Sequence, residues 1–412
     1  MGLVRREDHY MRRTKARALL VSTVLLGSTL AGATGSALAK TPPAAQPRLI
    51  TMTIPAPHGE IGSQWLPYAG APRANVLLPA GYDPAKRYPL VVALNGLNCD
   101  YAWWAQWKLE LPFETLNPKP IVVMPEGASG WYTDWWNHGR RGGPSWESYE
   151  LDTVLPTILH DYRILPQRRY HALVGISMGG FGATYLGGRL PGFFGSVATL
   201  SGFVDPQYYA PIPDAAEGVL SFAPLKGDYQ LFPVDGRPYG FYMSGHNPAK
   251  LVMNLRQTRV FESTGNGAPS PVAAYNTPGS EEEGIVIYPM SQRFHKAAVE
   301  AGVDITYQPH TGGHDIPDFL GEVDSLVKWN PFAPVITDPQ SWTNDTVATS
   351  GQLWDVGYRF AAPPTKVVQF SRTLHRLSIS DAGSDVTITT SNGCTIRTST
   401  PTTIVLARHC AS

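Results

Sequence analysis

The sequence predicts an α/β fold built on a doubly wound, mostly parallel sheet. Short apolar runs bounded by Pro, Gly or Asn, such as residues 89–94 and 120–124, have the pattern of strands buried on both faces. They alternate with segments of helical periodicity, such as residues 148–162, and this alternation favours parallel strands joined by right-handed crossovers. In such sheets the functional residues gather at the carboxyl ends of the strands.

The remaining elements follow the same logic along residues 48–334, which we interpret as one large domain. Residues 49–54 and 75–78 are predicted as early antiparallel strands. Residues 181–190 and 292–301 have helical periodicity. Further strands are predicted at residues 170–174, 196–201, 258–263 and 303–308. Residues 205–251 are rich in Pro, Gly and Tyr and are interpreted as an inserted cap or long loop.

The N-terminal region has the pattern of an export signal. Basic residues within 12–17, an apolar stretch over 18–33 and the tripeptide Ala37-Leu38-Ala39 predict a secretory signal peptide over residues 1–39. A Pro/Ala-rich linker follows at residues 40–47. A membrane anchor is the alternative, but the apolar stretch is short and is diluted by Gly, Ser and Thr. We therefore expect a protein that is secreted or associated with the cell envelope.

The C-terminal region differs in another way. Residues 335–412 lose helical periodicity, gain Pro, Thr and Ser, and contain short alternating stretches, which predicts a small β-rich domain. In an exported protein Cys394 and Cys410 are expected to form a disulfide, which leaves Cys99 as the remaining thiol.

The composition limits the range of functions. The chain has 412 residues, of which 43% are apolar and 16% charged, and its formal net charge is zero. This balance provides for a sizeable core and does not favour binding to nucleic acid. The sequence has no Cys/His pair with zinc spacing, no P-loop and no dinucleotide-binding glycine pattern. Neither a metal nor a cofactor is therefore expected.

The segment Gly175-Ile-Ser-Met-Gly179 follows a predicted strand and precedes a predicted helix. It matches the G-x-S-x-G nucleophile elbow, in which a strained strand-to-helix turn exposes the serine hydroxyl and leaves room only for small residues nearby. Ser177 is therefore the candidate nucleophile, and the motif predicts the α/β-hydrolase version of the fold. With this serine present, a nucleophilic role for Cys99 is disfavoured.

A serine nucleophile needs a base, and the order along the chain in this fold is serine, acid, histidine. His314 lies in the segment Thr311-Gly-Gly-His-Asp315, just after the strand predicted at 303–308. From that loop its imidazole can reach over the sheet edge to Ser177. His310 is the main alternative, although it lies closer to the strand.

The acid is less well determined by the sequence. Between the strand predicted at 258–263 and the helix predicted at 292–301, the carboxylates are three consecutive glutamates, Glu281, Glu282 and Glu283. A solvated acidic run at a helix N-terminus is the alternative interpretation of these residues. Asp205, one strand earlier, is the other candidate acid. Glu283 is our first choice, followed by Glu282 and then Asp205.

Two backbone N–H groups are expected to stabilise the oxyanion. One belongs to Met178, the residue after the nucleophile, and the other to the segment Asn95-Gly-Leu-Asn98 after the 89–94 strand. Gly96 allows a close approach of the backbone, and we assign the second donor to Leu97. Each such donor stabilises the transition state by about 3 kcal/mol.

Two loops near this site are crowded with aromatic residues, which indicates either core packing beneath long loops or a wall for an acyl chain or a sugar. These residues are Tyr101, Trp103, Trp104, Trp107, Trp131, Tyr132, Trp135 and Trp136.

Residues 76–330 resemble the esterase D and antigen 85 (mycolyltransferase) branch of the α/β hydrolases. The matching segments occur in the same order: Leu94-Asn-Gly-Leu97, Met124-Pro-Glu-Gly127, Trp131-Tyr-Thr-Asp-Trp135, Gly175-Ile-Ser-Met-Gly179, His246-Asn-Pro248, Gly265-Asn-Gly267 and Gly313-His-Asp315.

The resemblance implies site residues as well as a fold. Members of the antigen 85 type use a glutamate between the Gly-Asn-Gly segment and the catalytic histidine, which supports Glu283 here. The resemblance also places the oxyanion donors at Leu97 and Met178. The loop after Leu97 lacks the arginine and the adjacent acidic pair of the antigen 85 pattern. This departure argues against trehalose and mycolate specificity.

The expected chemistry is acyl transfer through an acyl-enzyme on Ser177, with a lipid or small ester as donor. The acceptor is water, or a sugar or glycerol hydroxyl, and both versions use the same residues. The alternative is a catalytically silent relative whose aromatic loops and C-terminal domain hold cell-wall glycan. For residues 335–412 we expect a module that associates with the cell wall.

Overall fold

The computed structural model describes residues 45–136, 144–209, 231, 240–272 and 278–406. These residues belong to one compact unit, Ala45–Ser412. The predicted signal peptide at 1–39, the start of the linker, much of the segment at 205–251 and Cys410 lie outside the described residues. The corresponding predictions, including the Cys394–Cys410 disulfide, stay predictions.

Eight strands of the described chain form one central sheet. They are β1 (Arg48–Thr53), β2 (Arg73–Leu78), β3 (Leu90–Leu94), β4 (Ile121–Pro125), β5 (His171–Ile176), β6 (Ser196–Leu200), β7 (Arg259–Gly265) and β8 (Asp304–His310). Their order across the sheet is β1-β2-β4-β3-β5-β6-β7-β8. Strands β3 to β8 run parallel to one another, whereas β1 and β2 pair in antiparallel fashion at one edge. The predicted doubly wound, mostly parallel sheet is confirmed.

The helices lie in the connections between these strands, except the last, which follows β8. They are α1 (Trp103–Trp107), α2 (Trp146–Ser148), α3 (Leu155–Asp161), α4 (Met178–Arg189), α5 (Gly240–Ser244), α6 (Pro278–Glu282), α7 (Tyr288–Ala301) and α8 (Ile316–Trp329). One π-helical turn, Tyr149–Val154, joins α2 to α3, and another, Glu283–Ile287, joins α6 to α7. None of the helices in the described part of the chain has the length and apolar composition that a bilayer crossing requires.

Successive side chains of the buried strands alternate between two apolar cores. In β3, Val91 and Ala93 pack in one core together with Phe319 of α8, whereas Val92 and Leu94 pack in the other. Because both faces of the sheet are covered there, the central strands β3 and β4 are apolar along their whole length and show no alternation with polar residues.

Two helices begin earlier than their periodicity predicts. Helix α4 begins at Met178 and not at residue 181, because the glycines that follow Met178 carry no apolar pattern. The helix predicted at 292–301 already begins at Pro278 as α6 and passes through a π-helical turn before α7. A π turn inserts an extra residue and breaks the 3.6-residue period, so the pattern marks only the regular part of the helix.

The residues beyond α8 form two four-stranded antiparallel sheets. Their strands are β9 (Ser341–Thr346), β10 (Ser350–Leu353), β11 (Val356–Phe360), β12 (Val368–Thr373), β13 (Arg376–Ile379), β14 (Val386–Thr390), β15 (Thr395–Thr398) and β16 (Thr402–Val405). The sheets have the orders β10-β11-β14-β15 and β16-β13-β12-β9, and they share an apolar core that contains Tyr358, Phe360 and Phe370. This region is β-rich, as predicted, while the domain boundary at residue 335 stays a prediction.

Paired polar groups join these C-terminal sheets to the central domain. Arg189, the last residue of α4, forms an ion pair of 2.5 Å with Glu147 and donates to the Tyr358 hydroxyl at 2.9 Å. Asn254 and Asp345 exchange two hydrogen bonds of 2.8 Å. Arg189 and Glu147 are both buried, so this ion pair of the central domain holds Arg189 in position to bind Tyr358 of the C-terminal sheets.

Candidate active site

Ser177 lies between β5 and α4, in the turn that the sequence predicts as a nucleophile elbow. Its backbone has a φ of 57° and a ψ of −120°, outside the regions that side-chain-bearing residues usually adopt. The flanking glycines are sterically required. A Cβ on Gly175 would lie 1.9 Å from the Gly179 carbonyl oxygen, and a Cβ on Gly179 would lie 2.3 Å from the Leu94 carbonyl oxygen. The glycines therefore let the strained turn pack against the end of β3.

The loop after β3 lies directly against this serine. A Cβ on Gly96 would be 3.5 Å from the Ser177 Cβ, so the backbone of this loop passes beside the candidate nucleophile. Leu97 follows in the same loop, and Met178 is the first residue of α4. Met178 is thus adjacent to Ser177 along the chain, and Leu97 is the next residue after Gly96, whose backbone passes beside Ser177.

The side chain of Asn95 holds this loop in place, a role that sequence reasoning missed. Its Nδ2 donates to the carbonyl oxygens of Gly96 at 2.9 Å and Cys99 at 3.2 Å. Its Oδ1 accepts hydrogen bonds from the Gly127 N–H and the Tyr132 hydroxyl, both at 3.1 Å. Asn95 is 1% exposed, so these bonds form away from solvent and fix the backbone on which Leu97 lies.

His314 and Glu283 form a buried pair. The His314 Nδ1 is 2.7 Å from the Glu283 Oε2, the carboxylate is fully buried, and the imidazole is 10% exposed. Glu281 and Glu282 of the same acidic run are exposed. Glu283 begins the π-helical turn that follows α6. The structure therefore places one of the three candidate glutamates, Glu283, against the candidate base.

Two hydroxyl groups hold the second oxygen of Glu283. Its Oε1 accepts hydrogen bonds from Ser201 Oγ at 2.8 Å and from Thr264 Oγ1 at 2.7 Å. Ser201 directly follows β6, and Thr264 lies near the end of β7. The sequence prediction did not include these two residues. Their position is nevertheless a recognisable signal, because both are small hydroxyl residues at the carboxyl ends of parallel strands.

The surroundings of His314 raise its basicity. Burial by itself lowers the pKa of the imidazole, but the charge of Glu282, the hydrogen bond and charge of Glu283 and the charge of Glu322 raise this pKa to about 9. A carboxylate on Nδ1 also selects the tautomer whose Nε2 is free to accept a proton, and it stabilises the imidazolium that results. Once His314 has lost this extra proton, as the pH rises towards 9, its Nε2 can take up a proton from a hydroxyl group presented to it.

The alternative residues have other partners. His310 Nε2 lies 3.0 Å from the Glu322 Oε1. Asp205 pairs with Arg293 Nε at 2.6 Å and accepts a hydrogen bond from Asn247 Nδ2 at 2.8 Å. These contacts give Asp205 a structural ion pair, while His310 joins a second imidazole–carboxylate pair.

The aromatic loops divide into two groups. Trp104, Trp131, Tyr132 and Trp135 are buried in the apolar cores, which fits the core-packing interpretation for them. Trp107 is 43% exposed. Trp103 is partly buried and packs on Phe319 with a centroid distance of 6.1 Å, and Phe319 in turn meets the His314 ring edge to face at 4.9 Å. Trp103 is therefore connected to the candidate base through one intervening ring.

Metal-binding clusters and large cavities are other places where the described residues could hold a ligand. Within the described ranges, no cluster of three or more His, Cys, Asp or Glu side chains has the arrangement to hold a metal ion. A groove of about 1120 Å³ lies between the central domain and the C-terminal sheets, and its lining includes Trp136, Arg189 and Tyr358. Neither Ser177 nor His314 is among the described residues that line this groove.

Comparison with known proteins relates this geometry to a family. The family model described as "Putative esterase" matches residues 69–325. Esterase Rv1288 of Mycobacterium tuberculosis is 25% identical over 272 residues, which cover 62% of this chain and 56% of that protein. The chain thus spans little more than half the length of this relative. The MPT51/MPB51 antigen of the same organism is 28% identical over 267 residues, covering 63% of this chain and 80% of the antigen.

Further similarities extend to an acyltransferase and to solved structures. Diacylglycerol acyltransferase/mycolyltransferase Ag85C of Mycobacterium avium is 25% identical over 241 residues, covering 55% of this chain and 65% of that protein. The crystal structure of Mycobacterium tuberculosis MPT51 has a TM-score of 0.52 at 18% identity, covering 69% of this chain and 98% of that chain. An S-formylglutathione hydrolase from Agrobacterium tumefaciens has a TM-score of 0.50 at 17% identity, covering 70% and 95%. These structures share the α/β-hydrolase fold.

Proposed function

Since the chain belongs to the family described as putative esterases, we propose that it is an ester hydrolase or acyltransferase that works through a covalent acyl-enzyme on Ser177. The names of two relatives, an esterase and a diacylglycerol acyltransferase/mycolyltransferase, support this reaction class. The observation that carries the assignment of residues is the 2.7 Å contact between His314 Nδ1 and the fully buried Glu283. Like the strained Ser177 turn, this pair follows the carboxyl ends of parallel strands.

The proposed reaction has two halves. Ser177 Oγ attacks the ester carbonyl carbon while His314 Nε2 takes the hydroxyl proton, and Glu283 holds Nδ1–H in the correct tautomer. The backbone N–H groups of Leu97 and Met178 donate to the oxyanion of the tetrahedral intermediate. His314 then returns the proton to the leaving alcohol as the carbon–oxygen bond breaks, which leaves the acyl group on Ser177.

In the second half, an acceptor hydroxyl attacks the acyl-enzyme. His314 removes its proton and delivers it to Ser177 Oγ as the acyl–serine bond breaks. Water as acceptor makes the protein an esterase, whereas a sugar or glycerol hydroxyl makes it an acyltransferase. The donor is a lipid or small ester, and the residues named above serve both outcomes.

We also propose where the protein works. The signal-peptide pattern over residues 1–39 supports export to the cell envelope or beyond, and export supports a disulfide between Cys394 and Cys410. The C-terminal sheets are proposed to associate with cell-wall material. A sedimentation assay with wall material, comparing the full chain with a chain lacking residues 335–412, tests this role.

A fluorophosphonate probe tests the nucleophile. We expect the native protein to be labelled and the Ser177→Ala variant to remain unlabelled. Ser291→Ala is the matched control, because Ser291 is a buried serine that lies outside the candidate active site and donates to Glu262 at 2.7 Å. Failure of the native protein to react, or equal labelling of Ser177→Ala, overturns the proposal and favours the glycan-binding alternative. Product analysis with and without a glycerol or sugar acceptor then separates hydrolysis from transfer.

A further inference from the structure

A second imidazole–carboxylate pair lies beside the first. His310 is the last residue of β8, and its Nε2 is 3.0 Å from the Oε1 of Glu322 on α8. The Glu322 side chain is fully buried, while His310 is 31% exposed. His314 follows His310 by one short loop, so the two pairs share the same end of the sheet.

One hydroxyl group connects the two pairs. Ser201 Oγ lies 2.8 Å from the Glu283 Oε1 and 3.0 Å from the Glu322 Oε1. A serine hydroxyl carries a single proton and can donate it to only one carboxylate at a time. The direction of this hydroxyl therefore depends on which carboxylate has the greater uncompensated charge.

The charges around the second pair decide that direction. Burial, followed by the charge of Glu283, raises the pKa of Glu322 to about 7, although His310 and Ser201 stabilise its charged form. Burial lowers the pKa of His310, but the hydrogen bond and charge of Glu322, the Thr311 carbonyl and the charge of Asp318 raise it to about 9. At neutral pH the His310–Glu322 pair therefore keeps a proton and carries no net negative charge.

Glu283 is also the nearer acceptor, since its Oε1 lies 2.8 Å from Ser201 Oγ against 3.0 Å for the Oε1 of Glu322. Asp318, the other carboxylate near His310, is occupied by the Gly313 N–H at 2.8 Å and by Ser270 Oγ at 2.7 Å. Glu282, the remaining carboxylate that acts on His314, is exposed. The hydroxyl of Ser201 is thus available to Glu283 whenever the His310–Glu322 pair is neutral.

We propose that His310, Glu322 and Ser201 are positioning residues for the catalytic pair: the neutral His310–Glu322 pair directs the Ser201 hydroxyl to Glu283, which fixes the carboxylate that orients His314. This inference rests on the proposed function, because it assigns these roles relative to His314 as the base. Loss of the proton from the second pair adds a buried negative charge that competes for the hydroxyl and holds the proton on His314 more tightly.

Kinetics of 4-nitrophenyl acetate hydrolysis across the neutral and alkaline range test the positioning role. We expect Ser201→Ala to lower kcat about 10-fold to 100-fold with little change in KM, the loss expected for a hydrogen bond to an oriented, charged group. Glu322→Gln keeps the shape and hydrogen bonds but not the charge. It should retain most of kcat and move the acidic limb of the pH profile to lower pH by about one unit.

The matched controls are Ser291→Ala and Glu262→Gln. Each removes one partner of the buried 2.7 Å hydrogen bond that Ser291 of α7 donates to Glu262 of β7, which does not involve the second pair. Both should leave kcat and the pH profile at the wild-type values. Wild-type kcat and an unshifted profile in Ser201→Ala and Glu322→Gln overturn the inference, even if the fluorophosphonate test supports the nucleophile.

A readout independent of turnover keeps the two proposals distinguishable. The Nδ1–H proton of His314 can be followed by proton NMR and assigned by its loss in His314→Gln. We expect Ser201→Ala to shift or broaden this resonance and Glu322→Gln to lower the pH at which His314 titrates. If the wild-type protein neither hydrolyses esters nor reacts with the probe, the proposed function fails. An unchanged resonance and titration in both variants overturns the second pair's role.

Discussion

The buried contact between Glu283 and His314 makes Glu283→Gln the most informative single substitution. The glutamine amide keeps Oε1 as an acceptor for Ser201 and Thr264, which hold that oxygen at 2.8 and 2.7 Å. Its NH₂ group, however, replaces the oxygen that lies 2.7 Å from His314 Nδ1. Two donors then face each other, so the imidazole adopts the other tautomer.

The size of the effect follows from that tautomer. With Nδ1 as acceptor, Nε2 carries the proton and can no longer take one from Ser177. In serine enzymes with this mechanism the corresponding loss is about 10⁴-fold in kcat, or about 5.5 kcal/mol of transition-state stabilisation. KM should change little because the substrate does not contact Glu283. Removal of the charge should also lower the pKa of His314 from about 9, so residual activity extends to lower pH.

The assay is steady-state hydrolysis of an activated ester across a range of pH, with folding checked by circular dichroism. Glu281→Gln, an exposed neighbour in the same run, is the control and should retain full activity. Glu282→Gln should retain its plateau rate but shift the acidic limb to lower pH, because the charge of Glu282 is the largest influence that raises the pKa of His314. A Glu283→Gln variant within about tenfold of wild type refutes the assignment of Glu283 as orienting acid.

Three further predictions concern the fold. Gly179→Ala should lower the free energy of unfolding by about 1–3 kcal/mol and reduce probe labelling, because its Cβ would lie 2.3 Å from the Leu94 carbonyl oxygen. Thermal melting measures the first effect, and the amount of bound fluorophosphonate probe measures the second. Arg189→Met leaves Glu147 buried without its cation and should cost about 3–5 kcal/mol in urea unfolding, whereas a change at an exposed ion pair should cost little. His310 and His314 have a pKa raised to about 9 in the folded state, against a usual value of 6.5. Their contribution to stability is therefore fully present below about pH 6.5. It is lost as the pH rises through about 9, and urea unfolding at several pH values would show no such decline if these histidines were not protonated.

Much of the central fold was predictable because its strands are covered on both faces. Continuous apolar runs such as 89–94 correspond to β3, and the G-x-S-x-G segment falls between β5 and α4 as expected. The starts of α4 and of the helix that begins at Pro278 were not predictable in the same way. Glycines after Met178 and a π-helical turn after α6 remove the periodic signal on which such predictions depend.

The candidate site was predictable from the sequence where local sequence determines geometry. The elbow requires glycine at fixed distances from Ser177, and His314 occupies the loop after a strand. The choice among three adjacent glutamates depended instead on which one the π-helical turn places in the interior, a tertiary property. Asn95 and Glu322 bind partners on other elements, so no local pattern distinguishes them from ordinary polar residues, whereas Ser201 could have been recognised by its place directly after β6.

Trapping the acyl-enzyme tests the central claim most directly. The protein is mixed with an activated ester, quenched in acid within the first turnover and digested, and the peptides are analysed by mass spectrometry. The account predicts one added acyl group on the peptide that contains Ser177, and none in Ser177→Ala. An acyl group on a different residue, or full ester turnover by Ser177→Ala, would contradict it.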